Sequence, residues 1–363
     1  MRAVQIYTDC EGPLVLNDNA FELCREFLKP HGERFFRQVS RFDDYQADIA
    51  KKEGYKAGDT LKLILPFLKA YGVDNAKIRD FAAQSLKVVP GAPEVSRFLA
   101  GQGFALHLIS TSYRPFAEVA AARLGFRREE VYCTELDLNG FLISAEEAAE
   151  LKRLKEAIVA APKIELPPKA KTFEELPQRS QEGITVLEGI FFNRIPQLAS
   201  GRLYQEVNPL GGPEKQRIIT DSLNRSNASL ADTIYIGDSI TDVEALKAVT
   251  QGGGLAISFN GNRYAVQAAG FVVIANNAWP LALMAVVFRL WGLEGIMEMA
   301  TPGRAAASRI LALPEATIAP IMTGLAGRNF SLYPSKTPNR DEVIKQSLAM
   351  RRQLRGEEIG GLG

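Results

Sequence analysis

The sequence predicts an α/β fold, a Rossmann-like parallel sheet flanked by helices and interrupted by a helical cap insertion, a second insertion and a helical C-terminal extension. Two observations carry this. Short apolar runs at Ala3-Val4-Gln5-Ile6-Tyr7, Phe104 to Ile109, Thr233 to Ile236 and Gly254 to Phe259 alternate with segments of helical periodicity, and such alternation builds parallel strands joined by crossover helices. Each run also ends in a polar residue, namely Asp9, Ser110, Asp238 and Asn260, at the carboxyl strand ends where open parallel sheets bind ligands.

The elements follow in order. After the first strand, Gly12 lets the chain turn away. From Asn19 to about Leu86, apolar residues recur at intervals of three and four, as in Phe27, Phe35, Phe36, Leu61, Ile64, Leu65 and Leu68, which is a helical pattern. Pro90-Gly91 punctuates, helices are expected over Pro93 to Ala100 and Pro115 to Leu124, and Leu136 to Ile143 carries Asn139-Gly140 between apolar positions, a hairpin signal. A charged helix begins near Ser144, Leu166-Pro167-Pro168 interrupts, and Thr172 with Glu175 reads as a capping box. Gly211-Gly212-Pro213-Glu214-Lys215 opens the next helix, with Pro213 suited to its first position. A further helix is expected from Asp242 to Ala248. The expected division is a core of residues 1–18, 88–143 and 209–277, a cap of 19–87, a second insertion of 144–208 and an extension of 278–363, whose last helix runs through Val343, Ile344, Leu348 and Leu354 before Gly360 to Gly363 fray.

Composition excludes several classes. Lys+Arg at 43 against Asp+Glu at 42 gives a net charge of +1, so no global field favours nucleic acid or an anionic membrane. The three cysteines, Cys10, Cys24 and Cys133, form no C-x-x-C pair, and a chain able to build a full core does not need disulfides. No signal-peptide pattern precedes the first strand. The apolar stretch from Trp279 to Met297 contains Pro280 and Arg289 and falls short of the ~20 uninterrupted apolar residues of a spanning helix. A cytoplasmic protein without membrane insertion is expected, and the C-terminal helices offer a surface for a homodimer or protein partner.

The strand-end residues specify a chemistry. Asp9 is a candidate nucleophile toward phosphorus. Glu11, two residues on, would project the same way on an extended backbone, and it can protonate a leaving alkoxide and then activate water. Two carboxylates repel a dianionic phosphate unless a cation such as Mg²⁺ intervenes. Asp9, Glu11, Asp238 and Asp242 are the candidate metal residues, with Asp242 able instead to orient Lys215. Lys215 in a first helical turn is disfavoured by the helix dipole, which is itself a reason to assign it an anion. Ser110, and Thr111 near a helix start, can donate to phosphoryl oxygens.

In this order the motifs Asp9-Cys10-Glu11-Gly12, Ser110, Lys215 and Gly237-Asp238-Ser239-Ile240-Thr241-Asp242 resemble those of the haloacid dehalogenase (HAD) superfamily, over residues 1–18, 88–139 and 211–275. The D-x-E-G start, Ile109 to Tyr113 and the segment from Leu136 to Leu142 look like its phosphoserine-phosphatase branch, in variants with Glu in the first motif. A similar layout occurs in archaeal HAD proteins labelled as subunit R of an energy-converting hydrogenase. The resemblance implies Asp9 as nucleophile, Glu11 as acid/base with its carbonyl on Mg²⁺, Ser110 and Lys215 on the phosphate and Asp238 on the metal. The expected activity is a Mg²⁺-dependent phosphomonoesterase for a small phosphorylated metabolite such as a phosphorylated amino acid. Alternatives are a phosphotransferase to a small alcohol and a weakly catalytic subunit of an assembly. Most members carry Asp in place of Glu11, whose extra methylene moves the carboxyl by about 1.5 Å.

Further residues have two readings each. Arg41 with Asp44 in the cap is a substrate-recognition pair or a surface ion pair. Asn260 is a substrate-binding residue or a turn former. His107, within an apolar strand, reads as a buried structural histidine, and Cys10 as a packing residue.

Overall fold

Buried apolar runs make the sheet. In this computed structural model, which describes residues 3–167, 169–301 and 313–361, seven strands form one sheet: β1 (Gln5–Asp9), β2 (Ala105–Tyr113), β3 (Val131–Thr134), β4 (Thr233–Gly237), β5 (Leu255–Phe259), β6 (Phe271–Ala275) and β7 (Phe330–Pro334). Their order is β3-β2-β1-β4-β5-β6-β7, parallel throughout except for antiparallel β6–β7. Every residue of β4, β5 and β6 is buried, as strands covered on both faces require.

The cap begins with α1 (Asn19–Phe27), α2 (Gly32–Asp44), α3 (Thr60–Ala70) and α4 (Asn75–Ser85), whose aromatic side chains meet at Phe21–Phe36 and Phe35–Phe67. Helices α5 (Ala92–Gly101) and α6 (Arg114–Leu124) flank the sheet. The second insertion supplies α7 (Ala145–Ala160), α8 (Gln178–Glu188) and the short α9 (Arg202–Glu206). It buttresses the cap: Gln38 donates to the Ala161 and Pro162 carbonyls and accepts from the Ile164 N–H, and Phe42 stacks on Phe191. The core resumes with α10 (Gly212–Ser226), α11 (Val243–Gln251) and α12 (Arg263–Ala268).

Two local expectations are corrected. The segment around Asn139-Gly140 is a single 3₁₀ turn and not a hairpin, because the Asp137 carboxylate caps the Asn139 N–H while Asn75 of the cap binds both Asp137 and the Leu138 N–H. Glu175 accepts from the Lys171 N–H, and Thr172 makes no side-chain cap, so the capping box there does not form. Thr111 lies inside β2, three residues before α6 begins at Arg114.

The C-terminal extension is not wholly helical. After α13 (Trp279–Ala300) and α14 (Glu315–Leu325), β7 covers the β6 edge before α15 (Arg340–Gly360), and an antiparallel edge strand is a common way to satisfy an open sheet. Helix α13 is long and apolar enough to cross a membrane by composition, yet its segment from Leu281 to Phe288 is buried within the protein. This apolar stretch is thus largely part of the chain's own core. Gly360 ends α15; Met1, Pro168, and Leu362 and Gly363 of the tail expected to fray, lie outside the described residues.

Candidate active site

Strand order reverses between β1 and β4, and the crevice beyond their carboxyl ends is where such a sheet receives a ligand. Asp9 is the last residue of β1 and Asp238 the first beyond β4, so neighbouring strands bring two carboxylates to that crevice. Lys215, in the first turn of α10, reaches it from behind. Its Nζ lies 2.9 Å from Asp9 Oδ2 and 2.8 Å from Asp242 Oδ1, with no side-chain surface exposed. Against the cost of burial, Asp242 and Asp9 hold the ammonium above its usual range.

Asp242 caps the turn after β4. Its Oδ1 accepts from Lys215 and from the Tyr235 hydroxyl at 2.7 Å, and its Oδ2 accepts from the Asp238 and Ser239 N–H groups and the Ser239 hydroxyl. Despite burial, Lys215 and these donors hold its carboxyl below the usual range. Both oxygens are therefore committed to protein donors. For Asp9, burial and the neighbouring Asp242 push the carboxyl well up, with Lys215 pulling against them.

Asp9, Asp238 and Asp242 place a ligand oxygen each within 4.8 Å of one another, all buried. All-carboxylate donors suit a hard divalent cation, and Asp9 and Asp238 are the pair with oxygens facing the cavity, which both residues line. Gly12 is required here: its φ is +106°, and a Cβ on it would sit 2.0 Å from Asp238 Oδ2.

Glu11 lies just past the strand. The backbone bends at Cys10, so the expected extended spacing is lost, but Glu11 still lines the same cavity as Asp9. Its Oε1 accepts from the Asn19 N–H and its Oε2 from the Ser112 hydroxyl, both at 2.6 Å. Burial, then Asp18, push this carboxyl up to about 7. Ser110 is fully buried, with its Oγ accepting from the Ser112 N–H. Thr111 and Ser112 line the cavity, and the Thr111 hydroxyl is buried without a partner.

Of two further expected binding residues, one stands in a different cleft. Arg41 pairs with Asp44 at 3.1 Å and lines a separate outer cleft beside Arg263 and Tyr264; three residues on along α2, Asp44 turns far enough to border both spaces. Asn260 adopts φ 48° and binds the Ala275 backbone through its amide, donating to its carbonyl at 2.7 Å and accepting from its N–H at 3.0 Å. It ties the ends of β5 and β6 together and borders a small space that it shares with Gly12, Asp238, Arg351 and Arg355. His107 is half-buried and stacked on Tyr7, and Cys10 is buried.

Two functional candidates were not expected. Arg351 and Arg355, four residues apart on α15, enter the cavity, and both point a guanidinium nitrogen at Asp238 Oδ2, Arg355 at 3.4 Å and Arg351 closer. Their sequence signal is an arginine at each position that continues the buried face of Val343 and Ser347 at intervals of four. Tyr235, which braces Asp242, has no comparable signal because it reads as strand core.

The haloacid dehalogenase-like hydrolase family model matches residues 7–170, a span holding Asp9, Glu11 and Ser110 but ending before Lys215, Asp238 and Asp242. No curated protein matches the sequence significantly. The structure of gene product AF1437 from Archaeoglobus fulgidus is similar over 99% of each chain, with 27% identity and a TM-score of 0.76. Looser likenesses are a phospho-aspartyl intermediate analogue of phosphoserine phosphatase (75% of this chain, 93% of that one, 14% identity, TM-score 0.44) and a HAD family hydrolase from Salmonella enterica (72% and 64%, 12%, 0.43). The family match and the mostly parallel sheet agree on a haloacid dehalogenase-like α/β fold.

Proposed function

We propose that the protein is a Mg²⁺-dependent phosphomonoesterase acting on a small phosphorylated metabolite through an aspartyl-phosphate. The observation that carries this reading is the Lys215 ammonium 2.9 Å from Asp9 at a strand end, beside Asp238 in one cavity. Asp9, Asp238 and the Glu11 backbone carbonyl would hold the metal, which when bound would offset the charge of a phosphate dianion beside two carboxylates. Asp242, saturated by protein donors, is the residue that orients Lys215.

Asp9 attacks phosphorus, forming an O–P bond as the bond to the leaving alkoxide breaks. Lys215 stays charged and neutralises one oxygen of Asp9. Glu11 donates the proton the alkoxide needs. With Oε1 held by a backbone N–H, which can only donate, that proton sits on Oε2 beside Ser112. A carboxyl near 7 is partly protonated at neutral pH and suited to this task. The Glu11 carboxylate then takes a proton from water as its oxygen attacks phosphorus, the Asp9 O–P bond breaks and phosphate leaves.

The cavity walls contributed by the cap, including Phe36, Ser40, Asp44 and Thr60, favour a small organic group over a polymer. The test is hydrolysis of an aryl phosphate with Mg²⁺. Asp9→Asn should reduce turnover by at least about a thousandfold, as loss of a covalent nucleophile does. Turnover that survives the substitution overturns the mechanism.

A further inference from the structure

We propose that Arg351 and Arg355 of the C-terminal helix are part of the phosphoryl site and make divalent-metal binding conditional on an anion. This rests on the phosphatase reading above, because it takes Asp238 as a metal ligand. Both side chains are only 6% exposed. Arg351 pairs with Asp238 Oδ2, the oxygen that faces Gly12, and also donates to the Asp238 carbonyl at 3.3 Å. Arg355 lies 3.4 Å from the same carboxylate oxygen and is fixed by the Leu16 and Asn17 carbonyls at 3.0 and 2.6 Å.

The charges explain what this does. Three buried carboxylates, Asp9, Asp238 and Asp242, are ion-paired with three cations, Lys215, Arg351 and Arg355, with Glu11 and Asp18 bordering the same cavity, so each carboxylate that would meet the metal already has a cation on it. A divalent cation on Asp9 and Asp238 adds two positive charges next to a guanidinium that shares its ligand. Arginine cannot relieve this by losing a proton, and like charges a few ångströms apart in a buried site repel strongly. A phosphate dianion offsets the added charge. The receptor for it is partly built: Arg351 Nε is buried and has no partner, and a guanidinium fork matches phosphate oxygens in pairs.

Helix α15 can remain docked while Arg351 shifts from carboxylate to anion. Ser347 donates to the Gly261 carbonyl at 2.7 Å, and Val343 and Ile344 pack into an apolar cluster with Val266, Val272 and Ile274. A purely structural clamp makes the opposite forecast: without Arg351, Asp238 is less well placed and metal binding weakens or stays the same.

Calorimetric titration of the full chain with Mg²⁺, alone and with excess inorganic phosphate, separates the two. In the wild-type protein, phosphate should tighten Mg²⁺ binding by about tenfold or more, and reciprocally. Arg351→Met should bind Mg²⁺ alone about tenfold or more tighter than wild type and lose most of the phosphate effect. Arg355→Met should shift both in the same direction by less, and it serves as the test if Arg351→Met does not fold. Equal or weaker Mg²⁺ binding in the variant, or no effect of phosphate in the wild type, overturns the proposal. If Asp9-dependent hydrolysis is present in those circumstances, the phosphatase reading stands alone. No Mg²⁺ binding to the wild type with or without phosphate overturns both.

Discussion

Replacing Asp43 by Asn removes an ionisable group that the cap buries at a cost. Asp43 sits on α2 in the cavity wall with 6% of its surface exposed. Burial, then the adjacent Asp44, push its carboxyl up to about 7 from an ordinary 3.8. The Gly58 N–H donates to Oδ2 at 3.1 Å, but Oδ1 is buried without a partner. Because the folded-state value is raised, the folded protein favours the protonated form. Its stability is fully present below the unfolded value near 4 and is lost as pH rises through about 7. Across the whole range the loss amounts to ~4 kcal/mol, of which roughly 2–3 kcal/mol falls between pH 5 and pH 8. Asparagine cannot ionise and still offers Gly58 an acceptor. Urea unfolding of both proteins, followed by circular dichroism, should therefore show the variant gaining ~2–3 kcal/mol on wild type between pH 5 and pH 8. Titrating groups that do not interact with Asp43 cancel in that difference. A difference that is the same at both pH values, within about 0.5 kcal/mol, refutes the claim that the folded cap holds Asp43 protonated.

Tyr235→Phe removes one of two donors to Asp242 Oδ1; it should cost ~1.5–3 kcal/mol in unfolding free energy and lower turnover by loosening Lys215, while Mg²⁺ affinity measured by calorimetry stays unchanged. Gly12→Ala places a methyl 2.0 Å from Asp238 Oδ2 at a φ of +106°; the displaced carboxylate should weaken Mg²⁺ binding by more than about tenfold, and wild-type affinity in this variant would show that Asp238 is not a ligand.

The central fold was legible because its signals are local and consistent. Apolar runs such as Leu255 to Phe259 are buried on both faces, and a run of that kind bounded by glycine needs no tertiary information to be read as a strand. The edges were less legible. Val131–Thr134 is only four residues long, and β7 is half-buried along its whole length, so neither carries a strong hydrophobic signal. The Asn-Gly turn was misread because its outcome is decided by Asn75, 62 residues away from Asp137, and local propensity yields to such a tertiary hydrogen bond. The second insertion was opaque for the same reason: what it does is pack on Gln38 and Phe42 of the cap, and no part of that relation is written in residues 144–208.

The site divides along the same line. Asp9, Glu11, Lys215, Asp238 and Asp242 follow strands or open a helix, so motif order alone brought them together. Arg41 was placed by residue type, which cannot tell which way a helix face turns, and Asn260 combines its two readings, tying two strand ends while bordering the space beside Asp238. Arg351 and Arg355 lie more than 100 residues beyond Asp238, outside every motif. Yet α15 carries a physical clue. Its buried positions change from Val343 and Ile344 through Ser347 to Arg351, and a charged residue is almost never buried without a partner. Among residues 340–356 the acidic ones are Asp341 and Glu342, both in the first helical turn and both exposed, so the counter-charge for a buried arginine at the other end has to come from elsewhere in the fold. The crevice has such charge to offer, because Lys215 alone does not balance three buried carboxylates. The C-terminal helix therefore supplies cations that the core of the site lacks, and it ties the chemistry of Asp238 to side chains more than 100 residues away in sequence.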